Sequence, residues 1–167
     1  MRLMSPTATL SDVRRELEAV AATAASPQEL MTAIVRSLRD RLSVYNWVGF
    51  YMLEKDGDED VLVLGSFAGA DTPHKRIPLD RGICGAAASR GETIIVDDVH
   101  SDPRYLSCSI ETKSEIVAPV FAHGRVVGEL DVDSHQPAAF SSEDRALVEH
   151  CARLVGRFLE KDSDQHI

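Results

Sequence analysis

Three segments of the chain carry hydrophobic residues at helical spacing. The first predicts a helix over 11–23, and the second predicts a helix from Ser26 to about Leu42. The second segment opens with Ser-Pro-Gln-Glu, where serine is a good cap, proline suits the first turn and glutamate completes a capping box. The third predicts a helix over 142–160, with Ser141 and Asp144 as a box-like cap. The apolar stripes consist of Val13, Leu17, Val20, Leu30, Ile34, Leu38, Leu147, Cys151, Leu154, Val155 and Phe158.

Runs of β-branched and aromatic residues predict strands between these helices. The predicted strands cover 45–54, 61–67, 76–78, 93–96, 115–122 and 125–132. Turn signals at 56–58 and 123–124 join two pairs of them into antiparallel hairpins. Pro78 cannot donate to a ladder and therefore predicts an edge strand. A short helix of small residues is predicted over 82–88, and a loop over 97–110.

This order of elements favours an α+β fold, because neighbouring strands are mostly joined by hairpins. We expect a central antiparallel sheet of about six strands, with the terminal helices on one face and short helices and loops over a pocket on the other. A chain of 167 residues predicts one domain, which we assign to 11–160. We expect flexible segments at 1–10 and 161–167.

Charge and hydropathy restrict the partners of the chain. Lys plus Arg is 18 and Asp plus Glu is 27, which gives a net charge of −9. So acidic a chain has no electrostatic footprint for wrapping nucleic acid or coating an anionic membrane. No run approaches the ~18 apolar residues of a transmembrane helix, and 1–7 lack the apolar centre of a signal peptide. The prediction is a cytoplasmic protein.

The three cysteines differ in their predicted surroundings. Cys151 lies on the apolar stripe of the last helix and is expected in the core. Cys84 is expected near a helix N-terminus, where the dipole and free amides favour a thiolate, and Cys108 lies in a loop between Arg104 and Lys113. Redox chemistry and simple burial both remain open for this pair. The spacing matches no zinc motif, so we predict no metal site.

Carboxylates interrupt two of the apolar strands. Glu129, Asp131 and Asp133 alternate and so point to one face, and Glu115 begins the neighbouring strand. Like charges side by side are unfavourable unless a cation is bound or a proton is retained. The group therefore predicts a site for an ammonium group or a metal, or a proton donor of raised pKa. A solvated strand end is the alternative interpretation.

Aromatic residues on the first strand suggest the wall of a pocket. Trp47 and Tyr51 are four residues apart and share one face, while Val48 and Phe50 take the other. Such a wall suits a small apolar or sulfur-containing ligand, and plain core packing is the alternative.

The combination resembles the free methionine-(R)-sulfoxide reductases, which are small single-domain proteins of the GAF fold. The resemblance covers about residues 28–158 and includes Cys108. Its motifs are NWVGFY at 46–51, LGSFAG at 64–69, RIP at 76–78, RGICG at 81–85, DDVH at 97–100, SEIVAP at 114–119, GELDVDS at 128–134 and FSSED at 140–144. The resemblance implies an L-methionine (R)-S-oxide reductase with no bound cofactor.

The resemblance also implies a role for each cysteine of the pair. Cys108 matches the catalytic cysteine, whose thiolate attacks the sulfoxide sulfur and becomes a sulfenic acid. Cys84 matches a resolving cysteine, which would form a disulfide with Cys108, and a thioredoxin-like reductant would restore both thiols. The two Cα atoms should then lie within about 7 Å or be brought together by movement of the 97–110 loop.

The remaining matches concern the substrate, free methionine sulfoxide. Glu115, Asp131 and Asp133 match the substrate-binding acids, and Trp47 and Tyr51 match the pocket wall. Acids would hold the free ammonium group, and a protonated carboxyl would protonate the sulfoxide oxygen. Which acid does which is not assigned by the sequence.

One position departs from the family pattern, and two alternatives to catalysis stay open. Many members carry a third cysteine where this chain has His74, which could act as a base or be an exposed loop residue. A stand-alone GAF domain could instead bind a small molecule, or the cysteines could form a purely regulatory disulfide. By analogy with other GAF domains, we also expect a homodimer through the terminal helices.

Overall fold

A computed structural model describes residues 9–106 and 110–164. Its helices are α1 (Leu10–Thr23), α2 (Pro27–Arg41), α3 (Gly82–Arg90) and α4 (Ser142–Asp164), and a single 3-10 turn covers Val99–Ser101. Its strands are β1 (Trp47–Asp56), β2 (Glu59–Ala68), β3 (Arg76–Pro78), β4 (Ile94–Val96), β5 (Ser114–Ala122) and β6 (Arg125–Ser134). All the predicted helices and strands are present. The 3-10 turn lies inside the segment predicted as a loop.

The strands form one six-stranded antiparallel sheet in the order β3-β2-β1-β6-β5-β4. The β1–β2 and β5–β6 pairs are the predicted hairpins, and β3 is an edge strand, as Pro78 indicated. The long strands β1 and β6 pair at the centre, so residues from distant parts of the chain meet on one sheet face. The α+β prediction is confirmed.

The helix starts follow the capping chemistry of the sequence. Ser26 accepts a hydrogen bond from the backbone amide of Glu29 at 3.1 Å, but the Glu29 carboxylate accepts from the amide of Ala25. The predicted box at α2 is therefore only half formed. At α4, the Ser141 hydroxyl accepts from the backbone amide of Asp144 at 3.2 Å and the Asp144 carboxylate accepts from the amide of Ser141 at 2.9 Å, which is the predicted box. This last helix continues to Asp164.

Two hydrophobic cores lie on opposite faces of the sheet. The larger packs α1, α2 and α4 against it, and Cys151 is fully buried there, as predicted. The smaller lies between the other face and α3 and contains Tyr51 and Cys84. Because the smaller core contains Cys84, the sheet face under α3 is where candidate chemistry is concentrated.

Within 9–106 and 110–164, no helix is both long enough and apolar enough to cross a bilayer.

The packing of α4 on β5 depends on a glycine. A Cβ atom at Gly156 would lie 2.1 Å from the backbone oxygen of Phe121, which cannot move without shifting the strand. We expect Gly156→Ala to lower the free energy of unfolding by about 1–3 kcal/mol, the usual cost of overpacking. Gly65→Ala is the control, because its Cβ would meet its nearest neighbour at 3.5 Å. Urea unfolding of both variants measures this, and equal stabilities would contradict the packing.

Candidate functional site

Four carboxyl groups lie buried on the face of the sheet that α3 covers. Glu129, Asp131 and Asp133 alternate along β6, and Glu115 on β5 pairs in register with Asp133. None of the four is more than 5% exposed. The predicted common face is confirmed, and the alternative of a solvated strand end is wrong.

Burial raises the pKa of all four carboxyls well above the ordinary range, because it penalises the charged form. Neighbouring acids raise the pKa further, with Asp131 acting on Glu115, Asp133 on Asp131, and Glu115 on both Asp133 and Glu129. In the described part of the chain, one oxygen of Asp131, one of Asp133 and both of Glu129 have no hydrogen-bond partner. An arriving cation would relieve both the repulsion and the missing bonds.

Cys84 joins this group from the opposite layer. It is the third residue of α3, and its thiol donates to Asp131 Oδ2 at a sulfur–oxygen distance of 3.5 Å. Burial first, and then Asp131, Glu129 and Glu115, raise the pKa of this thiol well above its usual value. The predicted position at a helix N-terminus is correct, but burial among carboxyls opposes the thiolate that this position favours. A helix dipole contributes only about 0.3–1 kcal/mol, which burial among carboxyls outweighs.

Trp47 and Tyr51 lie beside each other on the same face, as predicted, with ring centroids 6.3 Å apart. The Trp47 ring folds over Gly49, where a Cβ atom would come within 2.3 Å of the ring. Tyr51 donates its hydroxyl hydrogen to the carbonyl oxygen of His74 at 2.8 Å, and the Trp47 indole donates to that of Ala70 at 3.0 Å. The pair therefore anchors the segment between β2 and β3.

Two cavities divide the predicted site residues. The first has a volume of about 20 Å³, and its lining includes Tyr51, Cys84, Glu115 and Asp131. The second has a volume of about 130 Å³, and its lining includes Trp47, Asp133, Arg39 and His135. Because a water molecule needs roughly 10–15 Å³, the first cavity has room for little more than one. Trp47 and Asp133 thus do not share a cavity with the other predicted residues.

Three further residues bear on the predicted site: Cys108, His74 and Glu129. Cys108 lies outside the described residues, so its approach to Cys84 stays a prediction. His74 is half-buried and borders the first cavity, so the expectation of an exposed loop residue is wrong. Glu129 was placed on the acidic face by its alternation with Asp131 but was left out of the predicted site.

Comparison with known proteins agrees with the fold and the motifs. The model of the GAF domain matches residues 26–159. The chain is 36% identical to the free methionine-R-sulfoxide reductase of Escherichia coli K12 over 91% of this chain and 92% of that protein. It belongs to the GAF-domain family of free methionine-R-sulfoxide reductases.

Two solved structures of this family superpose on this protein over most of its length. One is the free methionine-R-sulfoxide reductase of Neisseria meningitidis in complex with its substrate, at a TM-score of 0.86 and 32% identity, covering 100% of this chain and 97% of that one. Another is the type II free methionine-R-sulfoxide reductase of Thermoplasma acidophilum, at a TM-score of 0.74 and 35% identity, covering 90% of this chain and 96% of that one.

In this family member, the acidic face is better suited to an organic cation than to a metal ion. One ligand atom from each of Cys84, Glu115 and Asp131 lies within 4.8 Å of the others, a spacing that an ion could bridge. The set mixes one soft thiol with hard carboxyl oxygens and contains no histidine, so it matches the preference of neither zinc nor magnesium. An ammonium group needs only hydrogen-bond acceptors, which the unpartnered oxygens provide.

The raised pKa of Asp131 makes stability depend on pH. The unfolded chain loses this proton near the ordinary pKa of about 4, whereas the folded protein holds it to higher pH. The contribution of Asp131 to stability is thus full below about pH 4 and is lost as the pH rises. We expect Asp131→Asn to gain stability relative to wild type between about pH 5 and about pH 8, by at most about 1.4 kcal/mol per pH unit.

Urea unfolding of the ligand-free protein at several pH values measures this effect. Asp58→Asn, on the exposed β1–β2 turn, is the matched control and should follow wild type. A constant difference between Asp131→Asn and wild type across the pH range would contradict the buried, protonated state.

Proposed function

We propose that this protein reduces free L-methionine (R)-sulfoxide to methionine, with Cys108 as nucleophile and Cys84 as resolving cysteine. The observation that carries the proposal is the Cys84 thiol bonded to Asp131 among four buried carboxyls. Thiols can reduce a sulfoxide, a protonated carboxyl can protonate its oxygen, and an aromatic wall can cover its methyl group. Similarity to reductases along nearly the whole chain supports the same function.

In the first step, the sulfur of Cys108 attacks the sulfoxide sulfur and the oxygen is transferred to it. The substrate sulfur gains two electrons and leaves as methionine, and Cys108 becomes a sulfenic acid. The sulfoxide oxygen must be protonated as its bond to sulfur breaks. Glu115 and Asp131 are suited to donate this proton, because burial raises the pKa of both carboxyls and so favours their protonated forms, and both border the cavity next to Cys84.

In the second step, the Cys84 sulfur forms a disulfide with Cys108 and water leaves. A thioredoxin-like dithiol then reduces the disulfide, which closes the cycle without a bound cofactor. A reducing compartment such as the cytoplasm would supply that reductant. Loss of the family's third cysteine at His74 leaves Cys84 to resolve the sulfenic acid alone.

Turnover of free methionine (R)-sulfoxide tests the two cysteine roles. With thioredoxin, its reductase and NADPH, we expect Cys108→Ser to release no methionine. Cys84→Ser should release about one equivalent per protein before it stalls as a sulfenic acid. Cys151→Ser, in the larger core, is the control that retains both reacting thiols. If wild type reduces neither epimer, a small-molecule-binding or redox-sensing GAF domain is the better description.

The acids predict selectivity for the free amino acid. Asp133 is the best candidate to hold the ammonium group, because it borders the larger cavity and has an oxygen without a hydrogen bond among the described residues. N-acetylation removes this cation, and burying the acid without it is costly. We expect N-acetylmethionine sulfoxide to be reduced at least about 100-fold less efficiently, as measured by kcat/KM. Equal efficiency for both substrates would contradict an ammonium site.

A further inference from the structure

Glu129 has no role in the steps above, yet it is the most deeply buried of the four acids. It is fully buried, and neither of its carboxyl oxygens has a hydrogen-bond partner within 9–106 and 110–164. Leaving a buried carboxyl unpaired is unfavourable, and an apolar residue at this position would avoid the penalty. Such a group calls for a functional explanation.

The surroundings of Glu129 indicate which group it serves. On β6, it pairs with Tyr51 on β1 at one side and with Pro119 on β5 at the other. It borders neither of the two cavities described above. The Cys84 thiol interacts with it closely enough to lower the pKa of Glu129, while Glu129 raises that of the thiol. Glu129 therefore acts on the Cys84 thiol from the sheet face that α3 covers, two residues along β6 from Asp131.

Two carboxyls thus lie next to a thiol that has a single proton. The geometry directs this proton to Asp131 at 3.5 Å, and Glu129 is a second carboxyl that acts on the same thiol and whose oxygens have no other partner among the described residues. Asp131 borders the cavity next to Cys84, and in the proposed reaction it donates the protons that the leaving oxygen takes up. With Asp131 placed to donate to the leaving oxygen, Glu129 is the neighbouring carboxyl that is left to accept the proton of the thiol.

We propose that Glu129 is the base that takes the proton of Cys84 when this thiol forms its disulfide with Cys108. The inference rests on the proposed function, because it concerns the second step of that reaction. The S–H bond of Cys84 breaks and its proton goes to a carboxylate oxygen of Glu129. The freed electron pair forms the S–S bond, the S–O bond of Cys108 breaks, and the hydroxide leaves as water with a proton from Asp131.

Both acids return to their starting protonation states when the proton on Glu129 passes to Asp131. Glu129 must be ionised to act, and burial opposes this, so disulfide formation should accelerate as the pH rises. The titratable groups that face it are Cys84 from α3, Glu115 from β5, Tyr51 from β1, and its strand neighbours Asp131 and Asp133. Because most of these groups are acids, we expect disulfide formation to accelerate at a pH above the ordinary pKa of a carboxyl group.

The test separates the two chemical steps in one sample. Reduced protein without reductant is mixed with one equivalent of free methionine (R)-sulfoxide, and two events are followed: methionine release, which consumes the Cys108 thiol, and loss of the second thiol, that of Cys84. For Glu129→Gln, we expect the rate at which the second thiol is lost, relative to methionine release, to fall about 100-fold, the usual contribution of a general base. Dimedone should trap the accumulating sulfenic acid.

Further variants and a pH series distinguish a base from a merely structural residue. The ratio of the two rates should rise with pH in wild type, and this dependence should be absent in Glu129→Gln. Glu129→Asp, which keeps the acid, should recover part of the ratio and its pH dependence. Glu54→Gln, on the exposed end of β1, is the matched control for the amide substitution.

Each outcome decides the matter. An unchanged ratio in Glu129→Gln, or a lowered ratio with the pH dependence of wild type, overturns the role of Glu129 while methionine release upholds the proposed function. A wild-type protein that releases no methionine overturns the proposed function, and this inference with it.

Discussion

The structure depends on burying four carboxyl groups and a thiol together in the layer between α3 and the sheet, where burial raises their pKa values and so favours the neutral forms. Ionised, these groups would repel one another in a region that water does not reach, and the layer would not stay closed. Protonated, they pack beside Tyr51 and Ile83 in the smaller core. The site at rest is thus a compact set of proton donors, and either a bound cation or a rise in pH favours the ionisation of one of them.

One face of the sheet carries the apolar core that stabilises the fold, and the other carries the groups suited to chemistry. The larger core, built by three helices, consists of apolar side chains and buries Cys151 where it has no acid of this cluster beside it. The smaller core carries every buried acid of β6 and a single short helix. Polar groups on the second face can therefore be unfavourable for stability without loss of the fold, because the first face supplies most of the hydrophobic stabilisation.

Local patterns in the sequence predicted the elements and the faces, since both follow from periodicity. Alternation placed Glu129, Asp131 and Asp133 together, and helical spacing placed Cys151 in the core. The charge state of Cys84 could not be predicted in this way, because it depends on Asp131, a residue 47 positions along the chain. Local reasoning saw a helix N-terminus, and the tertiary contacts supplied burial and acids that outweigh it.

The boundary between the two cavities is built from the same aromatic residues that were predicted as a wall. Trp47 and Tyr51 hold backbone carbonyls of Ala70 and His74, and these two residues border the larger and the smaller cavity respectively. Asp131 and Asp133, only two residues apart on β6, border different cavities for the same reason. A ligand that touches both acids must therefore displace side chains at this boundary, whereas the rigid central strands β1 and β6 can stay in place.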